Sequence, residues 1–114
     1  MPSVLIRLDP RHMVNPDTDL RYIVPDRLAE ISNGLLADSG CDYEEITNAM
    51  LIYLSTANLD AALPFVIEVL ENEMIYDNRL ADSAKVGASP LDQSERPADF
   101  TIIYPRAEAG ERMG

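Results

Sequence analysis

The 114-residue chain has no tryptophan, one cysteine, one histidine and one lysine, and its nine cationic residues face 20 carboxylates. Each scarcity removes a class of function. With Cys41 alone, no intramolecular disulfide can form, and Cys41 with His12 cannot supply a Cys/His zinc set. Cys41 is expected to behave as a small hydrophobe in or near the core. Without tryptophan, and without basic residues interleaved among aromatics, there is no stacking platform for single-stranded nucleic acid. A formal charge of −11 opposes counterion-release binding to nucleic acid and attraction to an anionic membrane. No apolar run approaches the roughly 20 residues of a spanning helix. Met1–Arg7 holds three apolar residues before its first charge, too few for a signal peptide. A cytoplasmic setting is the expectation.

Nucleotide motifs are missing too. Gly34, Gly40, Gly87, Gly110 and Gly114 are dispersed, so no run of backbone amides forms a phosphate-binding loop. Asn15, Asp17, Asp19 and Asp26 fall on calcium-loop offsets, but Leu20 stands where the loop needs glycine and Asp26 where it needs glutamate. No metal or cofactor is expected. Lys85 could form a Schiff base in principle, but reads as a solvated or edge-strand lysine. No serine lies in a nucleophile elbow, and the paired glutamates Glu44–Glu45 read as decoration of element edges.

What is present is a 46% apolar chain of single-domain length, with charge distributed unevenly. Residues 1–40 carry net −2, residues 41–70 carry −5 with no base, and residues 71–114 carry −4. Val4, Ile6 and Leu8 alternate with other residues and predict a strand over 3–9. Leu28, Ile31 and Leu35 predict a helix over 25–37, entered at Pro25 and left near Gly40. Asp19–Val24 suits a strand or a helical turn, and residues 42–47 suit a capped helix start or a strand. Ala49–Leu54 is apolar on both alternating sides, as a covered central strand would be. Leu59, Leu63, Val66, Leu70 and Met74 form a stripe at helical spacing over 59–74, in which Pro64 is a conflict. Short strands are predicted over 84–88 and 99–104, with a loop over 89–98. The expectation is an α+β domain over 1–105, with a tail over 106–114. Its architecture would be a ferredoxin-like two-layer sandwich, a mostly antiparallel or mixed sheet with two helices on one face.

Two classes of function fit this reading. The first is a small soluble interaction or ligand-binding protein, self-associating through the sheet or helix 59–74, with Tyr53 as core or interface material. The second is a cofactor-independent isomerase, lyase or hydrolase for a small anionic substrate. His12 is the chain's only imidazole acid–base group, and Asp9 could orient it or act as an acid–base group itself. Arg7 and Arg11 would clamp the anion, and Tyr22 would shape the pocket. A regulatory protein that neutralises a basic partner through its acidic middle is a further alternative.

Overall fold

The computed structural model describes residues 1–91 and 96–105. The tail expected over 106–114 and the centre of the loop expected over 89–98 lie outside the described residues. Strand β1 (Ser3–Leu8) is followed by a 3-10 turn (Pro10–His12) and helix α1 (Leu20–Ile31). Strands β2 (Leu36–Tyr43) and β3 (Met50–Thr56) lead into helix α2 (Leu59–Asn72). A hairpin of β4 (Met74–Ile75) and β5 (Asn78–Arg79) precedes β6 (Ala84–Ser89) and β7 (Thr101–Tyr104). The main sheet has the order β2-β3-β1-β6-β7 with every neighbour antiparallel. No helix among the described residues is long and apolar enough to cross a membrane.

Alternation along β1 and β3 creates two apolar layers. Val4, Ile6, Leu8, Ile52 and Leu54 join Leu20, Val24 and Leu28 of α1 and Ala62, Val66, Val69 and Leu70 of α2 in the larger core. Leu5, Leu51 and Tyr53 point to the opposite face and meet Phe100 and Ile102. β3 is therefore interior and buried on both sides, as its continuous apolar sequence requires. The apolar side of α2 lies on the sheet, with Leu63 and Phe65 half-buried against the same core. Asn58 caps α2, its side chain accepting the Ala61 N–H at 3.2 Å. Pro64 lies inside α2, where the carbonyl its missing N–H forgoes belongs to exposed Asp60 in the first turn.

α1 departs most from the sequence expectation. It starts five residues before Pro25 and ends six before residue 37. The stop is local. Asn33 and Gly34 adopt φ of 52° and 83°, and the Gly34 N–H reaches back to the Ala29 carbonyl at 2.8 Å. That early exit releases Leu36–Tyr43 to form β2, a strand the residue spacing did not announce. Gly40, expected as the helix exit, instead sits at a bulge in β2 with φ of 116°. Residues 19–24 resolve as the start of α1, and residues 42–47 as the end of β2 followed by a turn. A bidentate pair from Arg27 to Glu73, at 2.8 and 2.9 Å, ties α1 to the end of α2.

Candidate functional site

The end of β1 organises a polar hollow of the described surface. Past Leu8 the chain turns through Asp9, whose N–H donates to the Ser83 carbonyl at 3.0 Å and so ties the turn to the segment entering β6. The Asp9 carboxylate caps the 3-10 turn by accepting the Arg11 N–H at 3.0 Å. It also receives the Arg11 guanidinium, Nη2 to Oδ2 at 2.7 Å and Nε to Oδ1 at 3.1 Å. The Asp9 side chain is 7% exposed, whereas Arg11 is 68% and His12 64% exposed. These bonds from Arg11 outweigh the cost of burial and hold the Asp9 carboxyl well below the usual carboxylate range. His12 Nε2 stands 4.0 Å from Asp9 Oδ2, within electrostatic reach and beyond hydrogen-bond distance.

Arg7 projects from the sheet face away from the helices, in alternation with Ile6 and Leu8. Glu44, on the turn after β2, grips it with Nε to Oε2 at 2.8 Å and Nη2 to Oε1 at 3.0 Å. This pairing raises the Arg7 pKa and lowers that of Glu44. Across the sheet Arg7 is directly opposite Lys85 of β6. Like charges in register repel, and Glu44 offsets that cost for Arg7 only.

These groups surround a depression of about 440 Å³, with Arg7, Asp9, Arg11 and His12 on one side and Asp82, Ser83 and Lys85 on the other. Arg7 is answered by Glu44, Arg11 by Asp9, and Asp82 by Arg79. Among the described residues Lys85 is in no ion pair. Glu44 and Asp9 each occupy the Nε and Nη2 of their arginine and leave Nη1 uncommitted. The hollow is therefore lined by three cationic side chains and one imidazole, of which Lys85 is in no ion pair with a described residue. A second hollow of about 40 Å³, between Leu8, Met13, Leu20 and Met50, is small and largely apolar.

Four of the five site residues expected from sequence, Arg7, Asp9, Arg11 and His12, meet at the larger depression. Tyr22 is not brought there. It lies 55% exposed on α1, with the Arg21 guanidinium 4.7 Å from its ring centroid. Spacing missed Lys85, Asp82 and Glu44, which arrive through strand pairing and a turn. Cys41 is exposed on β2 rather than in the core, and desolvation raises its thiol pKa, which disfavours the reactive thiolate. No group of three or more His, Cys, Asp or Glu side chains converges among the described residues in a way that could hold a metal ion. No protein-family model, curated protein or solved structure matches this chain.

Proposed function

We propose that the chain is a small-ligand-binding protein and that its ligand is an anion seated over the depression at the end of β1 and the start of β6. One observation carries this reading. In a chain of net −11, three of the nine cationic residues and the only histidine line a single hollow. A local excess of donors against an acidic background focuses small anions on that spot and keeps extended polyanions away. The remaining charge pairs fix the walls, and Lys85 supplies a charge that no described residue pairs with.

The scaffold is, in this proposal, ferredoxin-like with β7 added at one edge. Its support is the chain order β1-α1-β2-β3-α2-β6 combined with the spatial order β2-β3-β1-β6. A lone thiol suits a cytoplasmic setting.

Amide chemical-shift titration with sodium phosphate at constant ionic strength tests the ligand reading. Saturable shifts concentrated at residues 7–12 and 81–85 are expected. Weak, linear shifts spread over the surface would refute it.

A second reading, acid–base catalysis on the bound anion, draws on the 4.0 Å approach of His12 to Asp9. In any reaction found by a metabolite screen, His12→Ala would then lower kcat by about a hundredfold or more. Unchanged turnover removes His12 from that role.

A further inference from the structure

We infer that the anion is the phosphoryl group of a small, hydroxylated phosphate monoester. This inference rests on the anion-binding reading and narrows it to a chemical class.

The donors set the head group. Uncommitted nitrogens come from β1 through Arg7, from the following turn through Arg11 and His12, and from β6 through Lys85. A carboxylate presents two oxygens in one plane, which one guanidinium can satisfy alone. A phosphoryl group presents three oxygens splayed around an axis and carries about −1.5 to −2 at neutral pH, which suits donors arriving from three chain segments. No backbone amide cradle is needed, because side chains supply the donors.

The volume and the far wall set the body. At about 440 Å³ the depression is larger than the five heavy atoms of phosphate fill. Besides the cations the lining includes the Asp82 carboxylate, 60% exposed, together with Ala81, Ser83, Ala84 and Pro105. Among the described residues no aromatic or long aliphatic side chain lines it, so an apolar body gains little there. Arg79 holds Asp82 Oδ1, and Asp82 Oδ2 is an acceptor suited to ligand hydroxyls. The complementary ligand has one phosphoryl end and one neutral hydroxylated end.

Isothermal titration calorimetry at constant ionic strength tests this with inorganic phosphate, glycerol 1-phosphate, glycerol and acetate, on the full chain and on Lys85→Gln, Lys85→Arg and Asp82→Asn. Glycerol 1-phosphate is expected to bind about tenfold or more tightly than inorganic phosphate, and glycerol and acetate not to saturate. Lys85→Gln should weaken both phosphates by about tenfold or more, Lys85→Arg should restore most of that loss, and Asp82→Asn should weaken the ester alone. Acetate binding as tightly as phosphate would overturn the phosphoryl assignment while leaving the anion site standing. An ester no tighter than phosphate would overturn the hydroxylated body. Absence of saturable binding by every anion would overturn both this inference and the reading beneath it.

Discussion

Phe100 offers the sharpest test of how this sheet is stabilised. Two helices cover one face, and on the other Leu5, Leu51 and Tyr53 are buried with Phe100 and Ile102. Phe100 is fully buried, its ring centroid 5.9 Å from that of Tyr53 with the planes at 51°. Phe100→Ala exposes or empties about 100 Å² of apolar contact, a loss of about 2.5 kcal/mol at roughly 25 cal/mol per Å². The tilted aromatic pair adds about 1 kcal/mol, and incomplete collapse of the cavity adds more, so the total is about 4 kcal/mol. That is a large share of the 5–15 kcal/mol (approximate range) that holds an ordinary domain together. Urea unfolding followed by circular dichroism measures it, with Phe100→Leu expected to cost about 1 kcal/mol because most of the volume stays. A double-mutant cycle of Phe100→Leu with Tyr53→Leu should return a coupling of about 0.5–1.5 kcal/mol. A cost below about 1 kcal/mol for Phe100→Ala would mean that the second layer contributes little and that the helix-side core alone carries the fold.

Three further perturbations probe the scaffold around the site. Asn58→Ala removes the side-chain acceptor for the Ala61 N–H and should cost about 1 kcal/mol in urea unfolding, whereas Asn58→Asp should retain most of it; equal losses would exclude a capping role. Asn78 is buried and binds Asn15 twice, accepting its N–H at 2.8 Å and donating to its carbonyl at 2.7 Å, so Asn78→Ala should cost about 2 kcal/mol and speed amide exchange across residues 13–17. Unaltered exchange there would show that the bridge does not hold the loop. Asp9 stabilises the folded chain as a carboxylate, because its pKa is lowered on folding; its contribution is complete above about pH 4 and fades as the pH falls further. Asp9→Asn keeps the cap acceptor and loses that dependence, so urea midpoints should fall less steeply between pH 4 and pH 3 than in the unaltered chain; parallel declines would contradict the ion pair with Arg11.

Reading the fold from sequence succeeded where one element had one dominant signal. Ala49–Leu54 is apolar at every position, and only a strand covered on both sides accommodates that. The stripe of α2 is nearly as clear, since Val66 and Leu70 at helical spacing both end up buried on the sheet, although the helix ends at Asn72 and Met74, the stripe's last member, is exposed in β4. α1 and β2 were harder because their boundary rests on backbone conformation rather than on apolar spacing. Leu35 continues the helical period of Leu28 and Ile31, so periodicity runs past the true end. Asn33–Gly34 is a weak point in any helix, but whether it dents a helix or stops it depends on what Leu36–Tyr43 can pair with. β3 supplies that partner, seven residues beyond the end of β2. A strand with six consecutive exposed residues also carries no apolar alternation to betray it.

The site shows the same limit from the other side. Arg7, Asp9, Arg11 and His12 were legible because a strand end followed by a tight turn keeps four neighbours in sequence close in space. Lys85 is 78 positions away from Arg7 in sequence, and its isolation as the sole lysine gave no hint of where it goes. Only the sheet order fixes it, because β1 must pair with β6 in the register that opposes residue 7 to residue 85. A slip of one residue would place Ala84 or Val86 opposite Arg7 and turn the lysine to the helix side. Lys85 cannot be turned that way without burying its ammonium against the core, nor can Val86 be exposed without losing its burial there. The hydrophobic pattern of β6 that drives folding therefore also places a second positive charge opposite Arg7, at the rim of the depression.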